Sequence, residues 1–197
     1  TVALDIWHYD IEDFLELQTE NGDQRKKAYD IFPQVVLCDL FMRRVMNNES
    51  FTLIDPHEVR VKYQTDIASL WGDEFEKLYL KVESDETLKL KKTVNAKDLV
   101  KKILKTAVET GMPYLFFKDT ANRVNPNQHD GLIGCGNLCM ESFSNFTPTS
   151  FESDDPRDAP GQIKKLGTVH TCNLMSLNLA RLTDEEQLNQ ACRAAVR

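Results

Sequence analysis

The chain has 197 residues, 41% of them hydrophobic and 28% charged, a composition that can bury a sizeable core and excludes a disordered chain. Its formal net charge of −7 excludes the broad basic footprint of a nucleic-acid or anionic-membrane binder, so any anionic ligand has to be held by local groups. No apolar run reaches the ~18 residues of a membrane span, the first residues lack the regions of a signal peptide, and the five cysteines are an odd number; together these point to reduced thiols in a cytoplasmic protein.

In chain order, Val2 to Trp7 is a short apolar run that predicts a buried strand. Asp10, with Asp13 three residues on, precedes Ile11, Phe14, Leu15 and Leu17 at helical spacing, and Asn21-Gly22 marks the end of that helix. His8 at the junction is expected to serve as a hydrogen-bonded structural residue. Gln34 to Cys38 is rich in β-branched residues and predicts a second strand, with a helix over 40–46 behind it and Cys38 as a small buried hydrophobe. Phe51 to Ile54 is an extended piece ended by Asp55-Pro56.

Trp71, Phe75, Leu78, Tyr79 and Val82 predict an amphipathic helix over 71–83 whose aromatic stripe is core. Lys89, Lys91 and Lys92 read as a solvated connection. The best-marked helix follows, with Asn95 as N-cap, apolar positions from Leu99 to Val108, and Gly111 and Pro113 at its end. Tyr114 to Phe117 predicts a buried strand that exits at Lys118-Asp119, and 122–134 is a loop. From Ser142 to Gly167 the chain is polar and proline-rich, without evident structure of its own. Leu166 to Leu179 reads as a further strand region, and Thr183 with Glu186 as the capping box of a last helix that packs Leu188, Ala191, Cys192 and Ala195. Strands alternating with helices argue an α/β arrangement of parallel strands, with functional residues at strand ends. Opening in an apolar stretch without Met and stopping at Arg197 inside a helical pattern, the sequence is expected to be a piece of a longer chain.

The stretch with the most chemistry is 135–144. If it is extended, its period of two sends Asn137, Cys139 and Glu141 to one face, with neighbouring same-face Cα atoms about 7 Å apart. Glu141 could then act as a general base on a ligand hydroxyl whose carbon faces the Cys139 sulfur, and Asn137 could orient a diol. Cys139 has no basic neighbour in sequence, and a nearby carboxylate disfavours its thiolate. A one-electron role, in which sulfur moves a hydrogen atom, needs no thiolate.

Asn137-Leu138-Cys139-Met140-Glu141 resembles the Asn-Leu-Cys-x-Glu motif of ribonucleotide reductase catalytic subunits of the oxygen-dependent and cobalamin-dependent types. Asp5-Ile6-Trp7-His8, Asp39-Leu40-Phe41-Met42, the stretch from Phe51 to His57, and Cys172-Asn173-Leu174 with Ser176 to Ala180 are similar to that family in matching order, so the resemblance spans nearly the whole chain. Met175 stands where the family commonly has Gly and Ser142 where it commonly has an aliphatic residue, and Cys135 is an additional thiol.

The resemblance implies that 1–197 is the central portion of a catalytic ten-stranded α/β barrel, incomplete here. In it Cys139 becomes a thiyl radical, Glu141 is the base, Asn137 holds the substrate hydroxyls and Cys172 is one member of a redox dithiol whose partner lies before Thr1. It further implies ribonucleoside di- or triphosphate substrates, nucleoside triphosphate effectors and a homodimer of the full-length chain. The radical would come from a metal-containing small subunit or adenosylcobalamin, and the reductant would be thioredoxin or glutaredoxin. No metal or cofactor is expected to be held by these residues themselves, and both reductase types stay open. The 197 residues alone are expected to be inactive. Two rivals remain: an assembly fragment of a split large subunit, and a zinc module using Cys135, Cys139, His170 and Cys172.

Overall fold

In the computed structural model, residues 1–147, 149–151, 163–168 and 171–197 are described. Three parallel strands, β1 (Val2–Asp5), β2 (Pro33–Leu37) and β5 (Tyr114–Phe117), form a sheet in the order β1-β2-β5. The register is Val2 against Pro33 and Gln34 against Tyr114. Between them run α1 (Ile11–Leu15), α2 (Asp39–Asn47), β3 (Ser50–Ile54), α3 (Pro56–Tyr63), α4 (Gly72–Ser84), β4 (Lys91–Asn95) and α5 (Ala96–Thr110), and α6 (Lys118–Arg123) follows β5. Beyond α6 come a short antiparallel pair, β6 (Ser150–Phe151) and β7 (Ile163–Lys165), and the last helix, α7 (Glu185–Val196).

Period-two alternation divides β2 between two environments. Val35 and Leu37 enter the main core with Ile6, Trp7, Phe41, Phe51 and Tyr79. Val36 faces the other way, into a smaller cluster with Phe116 and Ile133. The main core is aromatic at its centre: the Phe51 ring stacks on Tyr79 at 5.1 Å and meets Phe41 edge-on at 4.9 Å. Burial pushes the Tyr79 phenol pKa up, so it stays protonated. Its hydroxyl accepts from Thr52 N–H at 2.8 Å and donates to Thr52 C=O at 2.7 Å, satisfying both backbone groups of a buried strand residue. Tyr79→Phe would strip both at once and is expected to cost roughly 2–3 kcal/mol, read as a lower urea midpoint at unchanged m-value.

Several expectations hold in detail. Asn95 caps α5 through bonds from the N–H groups of Lys97 and Asp98, and Gly111 ends that helix at φ 77°. His8 Nδ1 accepts from Asp10 N–H at 3.1 Å, and Cys38 is buried, which pushes its thiol pKa up to about 12.

Others are corrected. The helix after Asp10 ends at Leu15, well before Asn21-Gly22. The lysine-rich connection is strand β4, paired antiparallel with β3, so the strands are not all parallel. Lys91 Nζ donates to the carbonyls of Glu83 and Asp85 at the end of α4, and Lys92 pairs with Glu12. A lysine-rich edge strand carries no apolar alternation, which hides it from a periodicity argument.

Strand β5 is buried only at Phe116, with Leu115 and Phe117 exposed. The strand does end at Lys118-Asp119, and these two residues, both buried, begin α6. The Asp119 carboxylate accepts from Asp39 N–H at 2.6 Å and Gly72 N–H at 2.7 Å, so one side chain caps both α2 and α4. The capping box of α7 is shifted by one residue: Asp184 accepts from Gln187 N–H, and Gln187 Oε1 accepts from Thr183 N–H. That helix buries no residue, so Cys192 is exposed and not packed as expected.

Candidate active site

After α6 the chain is pinned by Asn122, buried, whose side chain accepts from Ile133 N–H at 2.7 Å and donates to Ile133 C=O at 2.9 Å. This delivers 134–143 onto the face of the sheet formed by Val36 and Phe116. The stretch is not the extended strand that its alternation suggested. Gly136 and Phe143 form an antiparallel bridge, and the residues between them make a tight turn with Met140 at φ 65°.

Asn137 organises the turn. Its N–H donates to Ser142 C=O at 3.1 Å, its C=O accepts from Met140 N–H at 3.2 Å, and its side-chain oxygen accepts from Ser142 N–H at 3.0 Å. Met140 packs on the Val36–Phe116–Ile133 cluster, and the Phe143 ring lies 5.3 Å from that of Phe116. A Cβ on Gly136 would sit 2.6 Å from Met140 Sδ and 2.9 Å from Phe143 Cε1, so the closed turn favours glycine there.

The turn gathers the expected side chains by a different route from strand alternation. Asn137 Nδ2 donates to Glu141 Oε1 at 2.5 Å, and the Cys172 thiol donates to the same oxygen at 2.9 Å from 31 residues away. Asn137, Cys139, Glu141 and Cys172, with Cys135 and Leu174, line one cavity of about 480 Å³. Cys139 is exposed on the turn and Cys172 half-buried. Cys172 approaches in an irregular stretch, not in the strand expected over 166–179. The Glu141 carboxylate holds the Cys172 thiol pKa above its ordinary value, first by hydrogen bonding, with burial and like charge adding, while the Asn137 amide pulls the other way.

Cys135, unassigned from sequence, is half-buried at the cavity wall. Its thiol pKa is raised mainly by burial and then by Asp5. Asp5 is itself raised to about 6, because burial outweighs the Lys118 ammonium 3.8 Å away. Of the four cysteine and histidine residues considered for zinc, His170 lies outside the described residues. Among the described ones no group of three or more His, Cys, Asp or Glu side chains is arranged to hold a metal ion, and no helix is long and apolar enough to cross a membrane.

From residue 1 to residue 197 the chain matches the family model described as ribonucleotide reductase, barrel domain. The chain belongs to this family. Among curated proteins it is 53% identical, over its whole length, to a ribonucleoside-diphosphate reductase subunit alpha of Synechocystis, of which it covers 24%. Corresponding subunits of Treponema pallidum (40% identical, 24% covered) and Helicobacter pylori (36% identical, 29% covered) also align with all of it. The chain therefore spans about a quarter of the length of these relatives. The parallel β1-β2-β5 sheet, open at β5, is an unclosed part of the family's barrel.

Proposed function

We propose that these 197 residues are the central portion of the catalytic barrel of a ribonucleotide reductase large subunit, and that the cavity at 135–142 is where a ribonucleotide loses its 2′-hydroxyl. The observation that carries this reading is the convergence of Asn137, Cys139, Glu141 and Cys172 on one cavity, from two segments that are far apart in sequence.

In this reading the Cys139 sulfur removes the 3′-hydrogen as an atom, and Glu141 takes the 3′-hydroxyl proton. The Asn137 amide holds the hydroxyls, and the 2′-hydroxyl leaves as water. Cys172 and a second thiol supply two electrons and two protons, one proton to the departing hydroxyl and one to C2′, and close as a disulfide that thioredoxin or glutaredoxin reopens. Cys139 S–H then returns its hydrogen atom to C3′, regenerating the sulfur radical, and Glu141 returns its proton to the 3′-oxygen. The hydrogen bond from Cys172 to Glu141 keeps base and reductant on one side of the substrate. In this reading the radical comes from a metal-containing small subunit or adenosylcobalamin. Nucleoside triphosphate effectors, a homodimer of the full-length chain and a cytoplasmic location belong to the same proposal.

A second reading, that the 197 residues act as an assembly fragment completing a barrel with other chains, is favoured by the exposed Leu115 and Phe117 of β5 and the uncovered apolar face of α7. Both readings are tested by carrying these residues in a complete large subunit, in place of the matched quarter of the Synechocystis protein. With radical source and reductant supplied, the hybrid is expected to form deoxyribonucleotides, while the 197 residues alone are expected to form none. A hybrid that folds and binds nucleotide but forms no product overturns the catalytic reading. Turnover by the 197 residues alone overturns the assembly reading.

A further inference from the structure

Gln34, the second residue of β2, is fully buried. It sits between Ala3 of β1 and Tyr114 of β5 in the central strand, where a polar side chain is costly unless it is bonded. Alternation along β2 places it with Val36, on the face that receives the 136–142 turn and away from the main core. Its amide spans the start of that turn: Gly136 N–H donates to Oε1 at 3.0 Å, and Nε2 donates to Asn137 C=O at 3.5 Å, across more than a hundred residues of sequence. The side chain thus offers one acceptor and one donor to adjacent residues, as a neighbouring strand would.

Besides the Thr1 hydroxyl, which donates to Leu138 C=O at 3.4 Å, the turn is held on the sheet by Met140 and by the Phe143 ring on Phe116. These apolar contacts fix no register, whereas the paired bonds of Gln34 do. Asn137, whose carbonyl Gln34 holds, is also the residue whose side chain bonds Glu141 and Ser142. A shift at that one peptide therefore moves amide, thiol and carboxylate together.

We propose that Gln34 is the positioning residue of the candidate site, setting where Cys139 and Glu141 stand over the cavity while lining none of it; its catalytic consequence rests on the reductase reading above. Misplacing a reacting group by about 1 Å can cost on the order of 100-fold in rate.

The test uses the complete hybrid subunit with two substitutions. Gln34→Leu keeps the size and removes both bonds. It is expected to lower kcat about 10- to 100-fold with KM within about threefold of the parent. Amide exchange in the peptide containing Gly136 should quicken while that of the β2 backbone does not. Gln34→Glu restores both bonds only while its buried carboxyl is protonated, since the neutral acid accepts from Gly136 and donates to Asn137. Its activity relative to the parent is expected to approach one at low pH and fall as pH rises and the carboxyl ionises.

A kcat for Gln34→Leu within about twofold of the parent overturns the proposal, and so does a loss accompanied by faster exchange throughout the β1-β2-β5 sheet, which would mark a merely structural role. If the parent hybrid reduces no ribonucleotide, the reductase reading falls by itself. Exchange at Gly136 then decides the anchoring: unchanged exchange in Gln34→Leu overturns it, and faster exchange confined to the turn upholds it.

Discussion

Cys139→Ser, in the complete subunit, is expected to abolish turnover while leaving nucleotide affinity within about twofold. The substitution exchanges sulfur for oxygen on an exposed turn residue, so neither the fold nor the cavity should change much. What changes is the bond to hydrogen. An O–H bond is much stronger than an S–H bond, so a hydroxyl cannot act as the one-electron carrier that the proposed chemistry requires. The expected loss is on the order of 10⁴-fold or more, equivalent to about 5.5 kcal/mol of barrier, and it falls on kcat alone. Product formation and equilibrium nucleotide binding, measured on the same preparation, separate the two effects. A Cys139→Ser protein that turns over repeatedly would sink the assignment of the radical to this sulfur.

Cys172→Ser is expected to behave differently, and the difference is diagnostic. A serine hydroxyl can still donate to Glu141 as the thiol does at 2.9 Å, so the local geometry and the base survive. Hydrogen abstraction by Cys139 then proceeds, but the two-electron reduction has lost one of its sulfurs and no disulfide can close. The expected result is at most about one aberrant turnover per site, followed by arrest that added thioredoxin or glutaredoxin does not relieve. Multiple turnovers at the parent rate would show that Cys172 is not a redox thiol. Rapid-quench analysis of product against enzyme concentration distinguishes a single turnover from none. The raised pKa of this thiol fits the assignment, since it keeps the group protonated beside a carboxylate until it is called on to give up hydrogen.

The first experiment concerns a residue, Cys139, whose proximity to Asn137 and Glu141 was expected for a reason that the fold does not use. Period-two alternation placed Asn137, Cys139 and Glu141 on one face of a strand. In the fold, a turn closed by Asn137 brings the three together, and Leu138, which alternation would bury, remains exposed. Alternation puts residues spaced by two and four on one face and a tight turn can bring the same residues together, so the pattern of residue types does not separate them. The left-handed Met140 and the small Gly136 are the local marks of the turn, and neither residue type is decisive without the tertiary neighbours that close on it.

In the sequence Gln34 is only the first residue of the strand run that ends at Cys38. Its bonding partners lie more than a hundred residues away, beyond the reach of any local pattern. Strand β4 was missed for the opposite reason. Its lysines read as solvated, and it is their pairing with β3 and with the end of α4 that makes them structural.

The amino-acid order alone was enough for features whose causes are local: the Asn95 cap and Gly111 stop of α5, the buried strand β2 and the position of β1, though β1 buries none of its residues, the aromatic stripe of α4, and the motif from Asn137 to Glu141 through which the family is recognised. Features that depend on groups distant in sequence emerged with the packed chain. These are the single Asp119 carboxylate capping two helices, the Gln34 amide under the turn, and the meeting of Cys172 with Glu141. The physical reason is that caps and strand faces are set by backbone geometry over a few residues, whereas a buried polar group takes whichever partner the fold brings within about 3 Å.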